Sequence, residues 1–82
     1  MTTPESIKRT IETGLGCDHV EVIGDGQHFQ ALIVSPAFEG LAKVMRHQRV
    51  YAALGDRMRE EIHALSMTTL TPAEWSQRQR DR

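Results

Sequence analysis

Few side chains in this 82-residue chain can hold a metal or shuttle a proton: four histidines, His19, His28, His47 and His63, and a lone cysteine, Cys17. Cys17 and His19 stand two apart, where a nucleophile and a base would share a strand face without necessarily touching, and no third residue is placed to orient them. Cys17 reads instead as a small apolar filler or a partly exposed thiol. No two histidines have the i, i+4 spacing that sets imidazoles on one helix face, so the sequence does not predict a self-contained zinc site. It leaves room for an open site that a partner completes. Taken singly, each histidine reads as a structural or surface residue, His47 as a solvated one, while His28 and His63 stand at strand starts where a side chain can face a loop mouth.

Other chemistries lose their usual anchors. The chain has no hydrolase elbow, phosphate loop, dinucleotide-binding glycine pattern or CxxC pair. Lys43, Arg46 and Arg49 form a basic helix edge that Arg78, Arg80 and Arg82 extend if the end of the chain folds back. Glu39, Asp56, Glu60 and Glu61 interrupt it, and aromatic residues are too scarce for a stacking platform, so a solvated polar face is the preferred reading. Ten basic against eleven acidic residues give a formal charge of −1, which exerts no global pull toward nucleic acid or an anionic membrane. A single cysteine and the opening Met1-Thr-Thr-Pro-Glu-Ser6, unlike a signal peptide, predict a reducing cytoplasm. The longest apolar run, Ala31-Leu-Ile-Val34, is far short of the roughly 18 residues of a spanning helix, so no membrane partner is expected.

The elements that must position these residues follow from caps and periodicity. Thr3-Pro4-Glu5 sets a capping hydroxyl before a first-turn proline, and Ile7, Ile11 and Leu15 recur on one helix face. Gly14 and Gly16 are expected to end that helix in the left-handed conformation. His19–Ile23 and Phe29–Val34 read as a hairpin around Gly24-Asp25-Gly26-Gln27, with Ser35-Pro36 ending the second strand. Leu41, Val44, Met45, Tyr51, Leu54 and Met58 predict the inner stripe of a long helix that Gly55 breaks or kinks. Ile62–Leu70 reads as a third strand, with Ile62, Ala64 and Ser66 on one face and His63, Leu65 and Met67 on the other. Thr71-Pro72-Ala73-Glu74 is a capping-box pattern that opens a last helix carrying Trp75. The expectation is one α/β (α+β) domain over 1–82, with 76–82 a frayed polar tail. Its predicted order is helix-strand-strand-helix-strand-helix, with the helices on one face of a three-stranded sheet. A chain this short buries about 60–65% of its unfolded surface, which favours binding over solo catalysis.

Five stretches in order give the chain a resemblance to the BolA family: Gly26-Gln27-His28-Phe29, Val34-Ser35-Pro36-Ala37-Phe38-Glu39-Gly40, Arg46-His47-Gln48-Arg49-Val50-Tyr51, Ile62-His63-Ala64-Leu65 and Thr71-Pro72-Ala73-Glu74-Trp75. The short Gly24-Asp25-Gly26 loop is most similar to the bacterial acid-stress BolA-like branch. The resemblance implies a class II KH-like fold and no enzymatic activity. It implies a monothiol glutaredoxin as partner, with a 2Fe-2S cluster shared between the two proteins and glutathione and none held alone, and a monomer or weak homodimer when unpartnered. It also implies a ligand histidine from the third strand, His63, and a second ligand from the hairpin loop. Asp25 occupies the position where cysteine-type members carry a thiol, and His28 is the nearest imidazole; donor chemistry favours His28, because carboxylate is a hard ligand. The competing implication is a DNA-binding transcriptional regulator that uses Lys43, Arg46 and Arg49. It lacks the Gly-x-x-Gly loop with which KH domains clamp a nucleic-acid backbone.

Overall fold

The computed structural model describes residues 2–62 and 64–81. Its order is α1 (Pro4–Gly14), β1 (His19–Gly24), β2 (His28–Val34), a 3-10 turn (Pro36–Phe38), α2 (Lys43–Leu54), α3 (Arg57–Glu60), β3 (Ala64–Leu70) and α4 (Pro72–Arg80). The sheet runs β1-β2-β3, with β1 antiparallel and β3 parallel to the central β2. This is the mixed architecture expected from the sequence. The parallel pair requires a crossover, which the 3-10 turn, α2 and α3 provide.

Period-2 alternation decides which sheet face is covered. Val20, Phe29, Ala31 and Ile33 turn inward and meet Ile7, Ile11 and Leu15 of α1, Val50 and Leu54 of α2, Phe38 and Ile62 in one core. Each large apolar side chain removed from water there contributes about 1.5–3 kcal/mol. The expectation of helices on one face holds for α1 and α2, but α4 sets Trp75 on the other face, where its ring stacks on the outward-turned His19 at 5.0 Å between centroids.

Four local expectations need correcting. The end of α1 uses no left-handed glycine: Leu15 leaves in the extended conformation, and Gly14 serves close approach, since a Cβ there would lie 3.0 Å from that of Ala53. The long helix does break as expected at Gly55, whose φ of 59° suits glycine, dividing into α2 and the single turn α3. Of its expected inner stripe, Val44, Met45 and Tyr51 face solvent, while Val50, absent from that stripe, is fully buried. Val50 and Leu54 carry the buried face of α2, and Val44, Met45 and Tyr51 lie on its exposed faces, so apolar spacing there does not report burial. Ile62 does not belong to the third strand, described over Ala64–Leu70: its amide donates to the Arg57 carbonyl at the close of α3. The frayed tail is also revised: α4 continues to Arg80, secured by the capping box at Thr71 and by hydrogen bonds from Gln77 to Asp81 and from Arg80 to Gln77.

Candidate functional site

The hairpin end of the sheet brings together two of the residues singled out in the sequence. Asp25 shapes the loop: its Oδ1 accepts the backbone N–H groups of Gln27 at 2.9 Å and His28 at 2.8 Å. These hydrogen bonds, that from His28 foremost, hold the Asp25 carboxyl below its usual range. Its geometry is that of an Asx turn, in which a carboxylate substitutes for a backbone acceptor. His28 starts β2 directly beyond, with its side chain 69% exposed and Nδ1 3.8 Å from Asp25 Oδ2. An imidazole so weakly engaged keeps its ring nitrogens available to a ligand from outside.

The register extends this end across the sheet. His28 is the pairing partner of Ala64, and the Ala64 amide donates to the carbonyl of Gln27 at 3.1 Å. His63, the sequence-predicted ligand next to Ala64, lies outside the described residues. Ile23, Gly24, Asp25, His28 and Gln30 line a cleft of about 350 Å³ here, and Ile23 is 64% exposed. Among the described residues no group of three or more His, Cys, Asp or Glu side chains is placed to hold a metal ion.

Cys17 belongs to the opposite end. Its neighbour Asp18 donates to Val34 at the far end of β2, six residues from His28. At about 3.3 Å per residue this is about 20 Å from the hairpin. The thiol donates to the Leu15 carbonyl, and burial, aided by Glu12 and Asp18, pushes it up to about 11. A protonated, distant sulfur does not join a site at the loop.

The three basic candidates separate as well. Lys43 and Arg49 are exposed. Arg46 is not free: it donates to the carbonyls of Leu41 and Thr69 and forms a two-pronged pair with Glu74 at 2.7 and 3.3 Å. Arg46 first, then the Thr71 amide, brings the Glu74 carboxyl down to about 2. The guanidinium, 12% exposed, thereby ties α2, β3 and the first turn of α4 together and is removed from any phosphate-binding set. Sequence reading missed this pair and the stacking of His19 on Trp75. The partners are 28 and 56 residues apart, and only the capping glutamate gave a local signal. No helix among the described residues is long and apolar enough to cross a membrane.

Comparison with known proteins agrees with the fold. The acid stress protein IbaG of Escherichia coli is 39% identical over 71 residues, covering 85% of this chain and 84% of that protein. The DNA-binding transcriptional regulator BolA of Haemophilus influenzae is 44% identical over 52 residues, 63% of this chain and 50% of that one. The solved structure of a BolA protein homologue from Coxiella burnetii superposes with a TM-score of 0.79 at 48% identity, covering 93% of this chain and 99% of that one. The model of the BolA-like protein family matches residues 4–74, and the chain therefore belongs to the BolA family.

Proposed function

We propose that this protein is a non-enzymatic partner of a monothiol glutaredoxin, with which it shares, transfers or senses a 2Fe-2S cluster as cargo. His63 and His28 are the ligands it offers. One observation carries the reading: an exposed, weakly engaged His28 is the register partner of Ala64, the residue that follows His63 in the chain. Neighbouring strands lie about 4.8 Å apart, so the residue that follows His63 in the chain sits one strand spacing from His28. Asp25 is the weaker candidate because its Oδ1 is committed to the turn. The donor set fits half a site: imidazole in place of thiolate on one iron raises the reduction potential, and thiolates for the other iron have to come from the partner.

The test is absorption spectroscopy of cluster-loaded glutaredoxin titrated with this protein. The parent should change the visible spectrum, and His63→Ala should abolish the change without unfolding the domain. Reconstitution of the isolated protein should leave it colourless; a stable, stoichiometric cluster on it alone would overturn the shared-site reading. The name of the Haemophilus influenzae relative carries the competing function, DNA binding. Arg46 spends its donors inside the fold, leaving Lys43 and Arg49 as the exposed members of that set, so salt-sensitive, sequence-dependent DNA retention in the absence of glutaredoxin would be needed to favour it.

A further inference from the structure

Arg57 reaches from α3 to α1 with its whole guanidinium. Nη1 donates to the Ser6 carbonyl at 3.2 Å and to the Thr10 hydroxyl, and Nη2 donates to the Ser6 hydroxyl at 2.6 Å and to Glu61 at 3.4 Å. The Thr10 hydroxyl gives its own proton to the Ser6 carbonyl at 3.0 Å, which leaves its lone pairs for Arg57. Glu61 also accepts the Thr2 hydroxyl at 2.9 Å, so both ends of the α3 segment are tied to the first turns of the chain.

α3 needs such a tie. It is a single turn, with too few internal hydrogen bonds to hold itself. Among the described residues its cap, Asp56, makes no side-chain hydrogen bond, none of its own residues is buried, and Met58 packs against the core only partly. The chain beyond depends on it, because the Arg57 carbonyl accepts the amides of Glu61 and Ile62, each at 2.9 Å. Ile62 is 4% exposed, and Ala64 is fixed by its hydrogen bond to the Gln27 carbonyl. The two neighbours of His63 are therefore held from two directions, one by α1 through Arg57 and the other by the loop that Asp25 closes.

We propose that Arg57 is a positioning residue for His63: by forking onto Ser6 and Thr10 it fixes the chain that enters β3, so that the histidine is presented beside His28 before the partner arrives. The histidine's role as a ligand rests on the glutaredoxin reading above; the anchoring of its segment does not. Arg57 acts through the main chain at Ile62 alone. A donor on a loose segment gives up affinity to the entropy of ordering it, and a donor held in advance does not. The competing account is that the burial of Ile62 holds the chain without help from Arg57.

The experiment compares the whole parent protein with Arg57→Ala, Arg57→Lys and Thr10→Val, the last of which removes the acceptor on α1 and leaves Arg57 in place. Amide hydrogen exchange of the isolated proteins should quicken about tenfold or more at Ile62 and Ala64 in Arg57→Ala, less in Thr10→Val, and hold its parent rate in β1 and β2. Arg57→Lys should restore only part of the protection, since one ammonium cannot reproduce the fork. In the complex with cluster-loaded glutaredoxin, the visible absorption of the cluster should decay about tenfold faster with Arg57→Ala than with the parent. Unchanged exchange at Ile62 and Ala64 would overturn the inference in favour of Ile62, and a uniform rise across β1 and β2 would overturn it in favour of a general loss of stability. Local loosening with an unaltered cluster lifetime would overturn the positioning role. Failure of the parent itself to alter the glutaredoxin spectrum would instead sink the shared-cluster reading, with the exchange rates still deciding whether Arg57 fixes the chain.

Discussion

At the end of the sheet where Val34 and Leu70 lie, Ser35 and Phe38 are fully buried and Arg46 joins α2, β3 and α4 through four hydrogen bonds; at the hairpin end, Ile23, Asp25 and His28 stand in solvent. Both ends belong to the same three strands. The difference lies in the connections. The crossover from β2 to β3 begins at the first end, and burying its start obliges every polar group to find a partner: the Ser35 hydroxyl donates to Gly16 and accepts from Ala37. A hairpin needs only its turn, which Asp25 completes from a single side chain. Stability concentrates at the first end, and unengaged donor chemistry remains at the second.

The strongest test of that contrast is Phe38→Ala. The ring is 0% exposed, and its loss should cost about 3–5 kcal/mol, seen as a lower urea midpoint, whereas His28→Ala should stay within about 0.5 kcal/mol of the parent. Equal losses at both ends would break the comparison. Arg46→Ala should follow at about 2–3 kcal/mol, because it strands the Thr69 and Leu41 carbonyls and unpairs Glu74, and Arg46→Lys should recover little of it.

Trp75→Ala should cost less, about 1–2 kcal/mol, since the ring is only half-buried and its main partner is the imidazole of His19. As the only tryptophan, Trp75 also reports the docking of α4 by its emission. A smaller effect is expected from acid. The Glu74 carboxyl sits at about 2 instead of 4.5, so its contribution is complete above pH 4.5 and disappears as the pH falls toward 2. The melting temperatures of the parent and Glu74→Gln should differ most above pH 4.5 and converge below it. Added salt should narrow the gap, because Glu74 is about half exposed.

Much of this arrangement was legible because its signals are local. Thr3-Pro4 and Thr71-Pro72 each carry a cap and a first-turn proline and begin helices in the structure, and Ser35-Pro36 ends the second strand as expected. The hairpin was readable from alternation and its loop, and the exposed position of His28 from its place at a strand start. The burial of Val50 and the exposure of Val44 and Tyr51 were not, since they depend on which face α2 turns to the core. Arg46 was misread for a related reason: a basic residue on a helix edge looks the same in sequence whether it meets solvent or a carboxylate 28 residues away. Residues whose roles are set by distant partners escape a reading built on spacing.

The least perturbing substitutions bear on the site itself, where Asp25 and His28 have to be told apart. Comparing Asp25→Ala with His28→Ala confounds two effects, because the alanine at 25 removes the acceptor for the Gln27 and His28 amides and loosens the loop as well as deleting a candidate ligand. Asp25→Asn avoids this: its amide oxygen still closes the turn, so the backbone at His28 keeps its position while the negative charge is lost. If His28 is the ligand, Asp25→Asn should leave the lifetime of the shared cluster in the glutaredoxin complex near that of the parent, Asp25→Ala should shorten it modestly through the loop, and His28→Ala should shorten it most. If the carboxylate binds iron, Asp25→Asn and Asp25→Ala should be equally short-lived and His28→Ala should match the parent. The order of these lifetimes, followed by the decay of visible absorption, therefore decides whether the donor type or the position in the loop selects the second ligand.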